Sequence, residues 1–364
     1  MNSSTLFLYK FFDLLYSILL MFITKPSSNE LNNNFDLLRF VFASIVFLAH
    51  SNALSLSLEL QFTQNLSSSI AVKSFFIVSG FLIFMSYERS SNLTQYLSKR
   101  IRRIYPGYLF VIFSCALLGV FLSTLNFRDY FTIDWLKYVF FNTFFLNFIE
   151  PALPGLFQDN ILSAVNGALW TLKIEIMFYV SVPLIVMGIK KYGVPPIFIS
   201  IYLLSFFYQF LTNLWGGSLA AELSRQLPGQ LVYFISGGAG YYYKDLFKRH
   251  YLLLVTMASL FFLIHSFGYM SFVEPIALAI IILYFSLIFP YLGNFTKYGD
   301  FSYGIYILHF PILQALVQSG LFNSNPYLAF CLAVALVLVG AFLLWHFVEK
   351  RFLQKSSHYL TEMK

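Results

Sequence analysis

Ten stretches of the chain, each of roughly twenty residues, are apolar almost from end to end. Helices of that length can cross a bilayer core of about 30 Å, and a helix satisfies its own backbone hydrogen bonds in lipid, whereas an open strand does not. Of the 364 residues, 59% are hydrophobic and only 11% are charged, so most of the chain has too little polar surface to face water. We therefore predict an all-α integral membrane protein whose spans lie near 37–56, 70–87, 104–125, 169–189, 195–213, 228–243, 251–268, 272–291, 301–320 and 327–347.

The segment 131–150 is ambiguous, because it is apolar but also contains Asp134, Lys137 and two asparagines. The distribution of positive charge decides its status, since cytoplasmic loops carry an excess of Lys and Arg. The densest basic cluster, "SKRIRR" at residues 98–103, links the second and third spans. If 131–150 does not cross, every later basic loop falls on the same side as this cluster. We predict about ten crossings with both termini cytoplasmic, and one non-spanning hydrophobic segment.

The predicted organisation has three parts. Residues 1–33 form an N-terminal amphipathic, interfacial helix and a linker, residues 34–350 form a membrane-embedded domain, and residues 351–364 form a cytoplasmic tail. Cys115 and Cys331 lie in unrelated apolar runs, which predicts neither a disulfide nor a metal pair. The formal net charge of +7 reflects the cytoplasmic loops, and we expect membrane lipids rather than nucleic acid as partners.

The first predicted span, 37–56, begins within "DLLRFVFASIVFLAHS" at 36–51 and has Arg39 near its start and His50 in its second half. Eleven helical residues advance about 16 Å and turn three times plus roughly 20°, so Arg39 and His50 share one face. A ligand that touches both would need an anionic group at the cytoplasmic edge and a reacting end far up the span, which is the shape of coenzyme A. Two alternatives remain open at this point: Arg39 as a topology anchor, and His50 as an interhelical hydrogen-bond partner.

Glu175, in the span that begins at residue 169, is predicted at the depth of His50. Its carboxylate could orient the imidazole, stabilise the imidazolium or bind an acceptor, or it could simply bond to a neighbouring helix. His309 is predicted nearer the cytoplasm, as part of a coenzyme tunnel or as a core histidine. Pro311 frees a carbonyl that some other group must satisfy. Ser79 and its neighbour Gly80 permit close approach of a helix or a ligand.

The chain resembles the acyltransferase 3 family of bacterial membrane O-acyltransferases. The resemblance rests on five stretches that occur in order: "DLLRFVFASIVFLAHS", "VKSFFIVSGFLI", "RIRRIYPGY", "LWTLKIEIMFY" and "GDFSYGIYILHFPI". It implies an enzyme of the bacterial cytoplasmic (inner) membrane that takes an acyl group, usually acetyl, from cytosolic acyl-CoA. The acceptor would be a hydroxyl of a glycan such as an O-antigen, a capsule or an exopolysaccharide. No metal is expected.

The resemblance also assigns roles to residues. His50 would be the catalytic histidine with Arg39 as its partner on the same helix, and Arg100 and Arg103 would match a basic pair near the coenzyme. Two positions depart from the family pattern, since Ile176 stands where a second acid is common and Lys73 where Asp is common. The predicted site is thus His50 and Glu175 for catalysis, Arg39, Arg100, Arg103, Ser79 and His309 for acyl-CoA, and Lys73, Trp170 and Tyr179 for the glycan.

Two questions remain open from sequence. His50 could remove the proton of the attacking hydroxyl, or it could itself be acylated and then discharged. A polytopic transporter or lipid-linked glycan flippase that uses His50 and Glu175 in proton coupling is the main alternative to an enzyme, although we find no inverted internal repeat.

Overall fold

The computed structural model describes residues 33–265, 272–354 and 357, and the predicted N-terminal interfacial helix lies outside them. Helices make up all of the regular structure in this part of the chain, and it contains no β-strand. The long helices are α1 (Phe35–Ser55), α2 (Ser68–Glu88), α3 (Leu93–Leu118), α4 (Ile133–Thr143), α5 (Trp170–Tyr192), α6 (Val194–Trp215), α7 (Leu227–Tyr242), α8 (Lys244–His265), α9 (Glu274–Leu287), α10 (Ser302–Gln318) and α11 (Pro326–Leu344). Shorter helical turns lie at Leu58–Thr63, Gly119–Phe121, Phe127–Tyr130, Gly167–Leu169, Gly217–Ser224, Leu321–Ser324, Trp345–Glu349 and Lys350–Phe352.

Seven helices of the described residues are long and apolar enough to cross a bilayer, which makes this a multi-pass membrane protein. They are α1, α2, α3, α5, α6, α8 and α11, the last extended to residue 352. The three other predicted spans correspond to shorter helices, α7, α9 and α10, of 16, 14 and 17 residues. The prediction of ten crossings with cytoplasmic termini therefore stays a prediction.

The ambiguous segment 131–150 folds as α4, a helix of 11 residues, followed by irregular chain. Eleven residues span only about 16 Å, well short of the bilayer core. Two hydrogen bonds hold the segment against α3: Trp135 donates its indole N–H to the Ala116 carbonyl at 2.8 Å, and the Tyr108 hydroxyl donates to the backbone carbonyl of Asn142 at 2.6 Å.

Small residues let α2 and α7 pack backbone to backbone. A Cβ on Gly80 would overlap the carbonyl oxygen of Phe234, and a Cβ on Gly237 would overlap that of Ile77. Lipid provides no hydrophobic force between helices, so such close packing is a main source of stability in membranes. Gly80 therefore serves the close approach of a neighbouring helix, and the adjacent Ser79 points to the other side, where it lines a cavity.

Helices α1 and α10 lie side by side and run parallel, since contacts join them at both ends. Arg39 near the start of α1 pairs with Asp300, two residues before α10, and His50 near its end pairs with His309 within α10. Pro311 has no N–H to offer the Ile307 carbonyl, and Asn166 donates its side-chain amide to that carbonyl at 2.8 Å instead. The prediction that another group satisfies this carbonyl is confirmed.

Candidate active site

The first of three cavities, the basic cavity, lies among α1, α2, α3 and α5 and has a volume of about 290 Å³. Five cationic side chains line it together with polar groups of Ser79, Ser86, Glu175 and Tyr179, and the chain after the last helix, at Leu353 and Gln354, closes one side. The cations are Arg39, Arg89, Lys99, Arg100 and Arg103. A concave site with this charge is suited to an anionic ligand, although the five cations are not equivalent.

Arg103 is neutralised by two buried carboxylates. Its Nη2 lies 2.5 Å from Asp300 Oδ2 and its Nη1 lies 2.5 Å from Glu349 Oε2, while Arg39 Nη1 reaches the same Asp300 oxygen at 2.9 Å. The carboxylate side chains are 3% and 1% exposed. Burial alone would raise the pKa of the Asp300 carboxyl, but the Arg39 and Arg103 guanidiniums hold it well below its usual range. Arg39, Arg103, Asp300 and Glu349 thus form a compact and largely buried network, and Asp36 joins it through Arg39 at 3.7 Å.

Arg100 is in a different situation. Its Nη2 donates to the Ser86 hydroxyl at 2.8 Å, and its Nε is buried without a hydrogen-bond partner. Lys99 likewise bonds only to a hydroxyl, that of Ser90 at 3.3 Å. Since no carboxylate of the described residues pairs with Arg100, Lys99 or the exposed Arg89, these three cations are the ones that can bind an anion. Arg100 and Arg103, which the resemblance treats as one basic pair, thus have different partners, and their joint role in binding the donor stays a prediction.

The second cavity, the narrow cavity, is a constriction of about 60 Å³. It shares wall residues with the basic cavity, namely Arg39, Phe75, Ser79, Glu175 and Tyr303. Val72 and Tyr306 also belong to the wall of the third cavity. The narrow cavity therefore lies between the other two, and its wall includes the rings of Phe75, Tyr303 and Tyr306.

Glu175 lies at the junction of the basic and narrow cavities. Its Oε1 accepts from the Tyr179 hydroxyl at 2.5 Å and faces the Ser79 hydroxyl at 3.5 Å. In the described chain no hydrogen bond joins Glu175 to His50, so the predicted orienting contact is not formed. Tyr179, predicted to bind the acceptor, lies instead on the basic cavity, with its ring centre 6.0 Å from the Arg100 guanidinium carbon.

The third cavity, the histidine cavity, has a volume of about 590 Å³ and is lined by His50. Lys73 and Trp170, both predicted for the acceptor, lie in its wall together with Tyr233 and Glu274. Lys73 Nζ pairs with Glu274 Oε1 at 2.7 Å and lies 5.0 Å from the centre of the Tyr233 ring. The wall thus combines aromatic faces with a fixed ion pair, a mixture typical of sites for polar ligands.

His50 bonds to His309 across the α1–α10 interface, with 2.8 Å between His50 Nδ1 and His309 Nε2. The two rings are nearly coplanar in orientation, at 6°, and Phe310 contacts the His50 ring edge-on. His309 is fully buried and lines none of the three cavities. The turn of α10 points this side chain at His50 rather than into one of these cavities, and the prediction that His309 binds the coenzyme stays a prediction.

Sequence reasoning missed Asp300, Glu349, Arg89 and Glu274. Asp300 and Glu349 were within quoted motifs or at the end of the last span, yet their partners are 197 and 246 residues away in the chain. A lone carboxylate next to an apolar run is the one signal that could have marked them, since such a group needs a partner in the membrane.

Comparisons with known proteins agree with the resemblance seen in the sequence. A family of sequences described as an acyltransferase domain matches residues 32–346. An O-acetyl transferase of Shigella phage Sf6 is 28% identical over 343 residues, which cover 90% of this chain and 97% of the phage protein. Nodulation protein 10 of Rhizobium leguminosarum bv. viciae is 32% identical over 173 residues, or 44% of this chain and 46% of that protein. No solved structure matches the chain significantly.

Proposed function

Because the chain belongs to the acyltransferase 3 family, we propose that this membrane enzyme transfers an acetyl group from acetyl-CoA to a hydroxyl of a cell-surface or lipid-linked glycan. The observation that carries the proposal is the row of three cavities, with unpaired cations at one end and His50 at the other. Family membership also sets aside the alternative of a transporter. We propose the bacterial cytoplasmic membrane as the location, with the basic cavity facing the cytosol.

The donor would bind through its phosphates. Arg89, Lys99 and Arg100 surround the basic cavity and have no carboxylate partner in the described residues. Guanidinium groups bind phosphate oxygens in pairs, which suits them to a diphosphate. The extended arm of the coenzyme would then lie in the narrow cavity beside Ser79 and carry the thioester towards His50.

The acceptor would occupy the histidine cavity. Trp170 and Tyr233 offer ring faces for the apolar side of a sugar, and the Lys73–Glu274 pair offers a donor and an acceptor for its hydroxyls. A volume of about 590 Å³ lies within the range of pockets that hold small ligands. A glycan hydroxyl in this cavity would meet the edge of the His50 ring.

In the proposed reaction the hydroxyl oxygen forms a bond to the acetyl carbonyl carbon and the bond from that carbon to sulfur breaks. Neutral imidazole takes the hydroxyl proton and later gives it to the thiolate of coenzyme A, so that the histidine is regenerated. Glu175, which lines both the basic and the narrow cavity, would contact the extended arm of the coenzyme. An acyl-histidine route uses the same residues, and isolation of a base-labile acyl group on His50 would support it.

The proposal is tested with membranes that contain the enzyme, radiolabelled acetyl-CoA and extracted surface glycan. His50→Ala is expected to abolish labelling of the glycan at an equal protein level. The matched control is His346→Ala, because His346 lines none of the three cavities. If His50→Ala labels glycan as well as the wild type does, His50 has no part in the chemistry.

The orientation has its own test. A reporter domain fused after Lys191, at the end of α5, should be cytoplasmic, on the same side as the basic cluster at 98–103. An external reporter would reverse the direction in which the donor enters.

A further inference from the structure

The proposed reaction needs an unprotonated ring nitrogen in the histidine cavity, and nothing in that reaction explains His309. An ionisable side chain in the membrane interior is costly and normally has a function. His309 has 0% exposure, and its ring contacts are Phe47, Tyr306, Phe310 and His50. The described residues place no carboxylate within hydrogen-bond distance of it, so its polar environment consists of His50 and two backbone carbonyls of its own helix, those of Ile305 and Tyr306.

The Ile305 carbonyl determines which ring nitrogen of neutral His309 carries the proton. The Nδ1 of His309 lies 3.2 Å from this carbonyl oxygen, which belongs to the residue four positions earlier in α10. A carbonyl oxygen only accepts hydrogen bonds, so in the neutral ring Nδ1 carries the proton and Nε2 carries the lone pair. The nitrogen that faces His50 is therefore an acceptor.

The same logic then applies to His50. Its Nδ1 lies 2.8 Å from the acceptor Nε2 of His309, so Nδ1 of His50 must be the donor. A neutral imidazole has one proton, and with that proton on Nδ1 the lone pair is on Nε2. His50 lines the histidine cavity, and Nε2 is the nitrogen that is not engaged with His309.

We propose that His309 is a positioning residue: anchored by the Ile305 carbonyl, it holds His50 in the tautomer that presents the basic Nε2 to the acceptor hydroxyl. This inference rests on the proposed function. The proton of the hydroxyl goes to Nε2 of His50 as the new oxygen–carbon bond forms, and it leaves with the coenzyme A sulfur when the carbon–sulfur bond breaks. The Nδ1 proton stays on His50 throughout, in its hydrogen bond to His309.

The side chain at position 309 can be changed so that acceptor ability and shape are separated. His309→Leu removes the acceptor, whereas His309→Gln keeps an amide oxygen that can accept from His50 Nδ1. His346→Leu is the matched control, because His346 also directs Nδ1 to the carbonyl four residues earlier, that of Phe342 at 2.9 Å, yet lines none of the three cavities.

The first measurement is the 15N spectrum of the histidine side chains in the full-length protein in lipid nanodiscs, with the His50 signals assigned by their loss in His50→Ala. The expected result for the wild type is a protonated Nδ1 and an unprotonated Nε2 on His50, and in His309→Leu a population with the proton on Nε2. A wild-type His50 with its proton on Nε2 overturns the inference. This spectrum requires no substrate, so it stays informative if the proposed donor or acceptor is incorrect.

The second measurement is steady-state acetyl transfer. His309→Leu is expected to lower kcat by about 10²-fold with KM for both substrates unchanged, since general-base catalysis contributes about 10²–10⁴-fold. His309→Gln should recover most of that loss, and His346→Leu should match the wild type. Equal activities of the Leu and Gln variants would overturn the positioning role, and if His309→Leu does not accumulate, the wild-type spectrum and the Gln variant still decide.

Discussion

Arg100 and Arg103 are three residues apart on α3, and the sequence alone does not distinguish them. From the structure we predict that replacing Arg103 lowers stability, whereas replacing Arg100 weakens binding of the donor. Arg103 is buried and bound to two carboxylates, whereas Arg100 bonds to the Ser86 hydroxyl and faces the basic cavity. The perturbation is the same for both, a change to leucine that removes the charge but keeps apolar bulk.

The magnitudes follow from the partners. Removal of one member of a buried ion pair typically costs about 3–5 kcal/mol, because the other charge is left without compensation. In Arg103→Leu, Asp300 keeps Arg39 at 2.9 Å, but Glu349 has no second cation within salt-bridge distance in the described chain. Arg100→Leu leaves no buried carboxylate behind and loses a charge-assisted bond to phosphate of about 1.5–3 kcal/mol, which corresponds to a rise of about 10- to 150-fold in KM for acetyl-CoA.

Two assays on purified protein separate the outcomes: unfolding free energy by SDS titration in mixed micelles, and release of coenzyme A as a function of donor concentration. Arg103→Leu should be strongly destabilised, and Arg103→Leu with Glu349→Gln should regain much of the loss. Lys137→Ala, which breaks an exposed ion pair with side chains 48% and 57% exposed, should leave stability almost unchanged. The reasoning is refuted if Arg103→Leu is as stable as the wild type but has a raised KM for acetyl-CoA, while Arg100→Leu has a normal KM. Arg103, not Arg100, would then bind the donor.

Further predictions concern the passage and the packing around it. Ser79→Phe should block the narrow cavity and abolish transfer while Ser79→Ala keeps most activity, and equal rates for the two would mean that the donor does not pass there. Lys73→Met should raise KM for the glycan but not for acetyl-CoA, as measured by varying each substrate in turn. Arg39→Ala should lower stability, because Asp300 then keeps Arg103 alone, and should raise KM for acetyl-CoA less than Arg100→Leu does; an equal rise would give Arg39 a direct part in donor binding. Gly80→Val should lower the unfolding free energy in the SDS titration by about 3 kcal/mol or more, because the valine side chain would overlap the Phe234 carbonyl. A variant of normal stability would mean that α2 and α7 can move apart.

The sequence predicted best what depends on local periodicity. The shared face of Arg39 and His50 follows from helical geometry, and the structure directs both side chains to one neighbour, α10. The sequence around Pro311 likewise predicts that the Ile307 carbonyl lacks its helical N–H partner, and the Asn166 side-chain amide donates to this carbonyl. The sequence also predicted, from the distribution of basic loops, that 131–150 does not cross, and the helix there has only 11 residues.

The partners of His50 and Arg103 could not be predicted from the sequence, because they belong to segments that are distant in the chain. Depth along a span placed Glu175 and His50 at one level, but depth carries no information about rotation between helices, and the partner of His50 is His309 instead. Spacing on α3 could not tell Arg100 from Arg103, because the difference lies in Asp300 and Glu349, which belong to the last third of the chain.

The constriction of about 60 Å³ between the two larger cavities has a consequence for the cell as a whole. A continuous aqueous pore through a membrane would let protons and ions run down their gradients and dissipate the voltage across it. The narrow cavity is far smaller than its two neighbours, and the rings of Phe75, Tyr303 and Tyr306 form part of its wall. The proposed transfer of an acetyl group between the two sides would therefore need no open pore, and the voltage across the membrane would be kept.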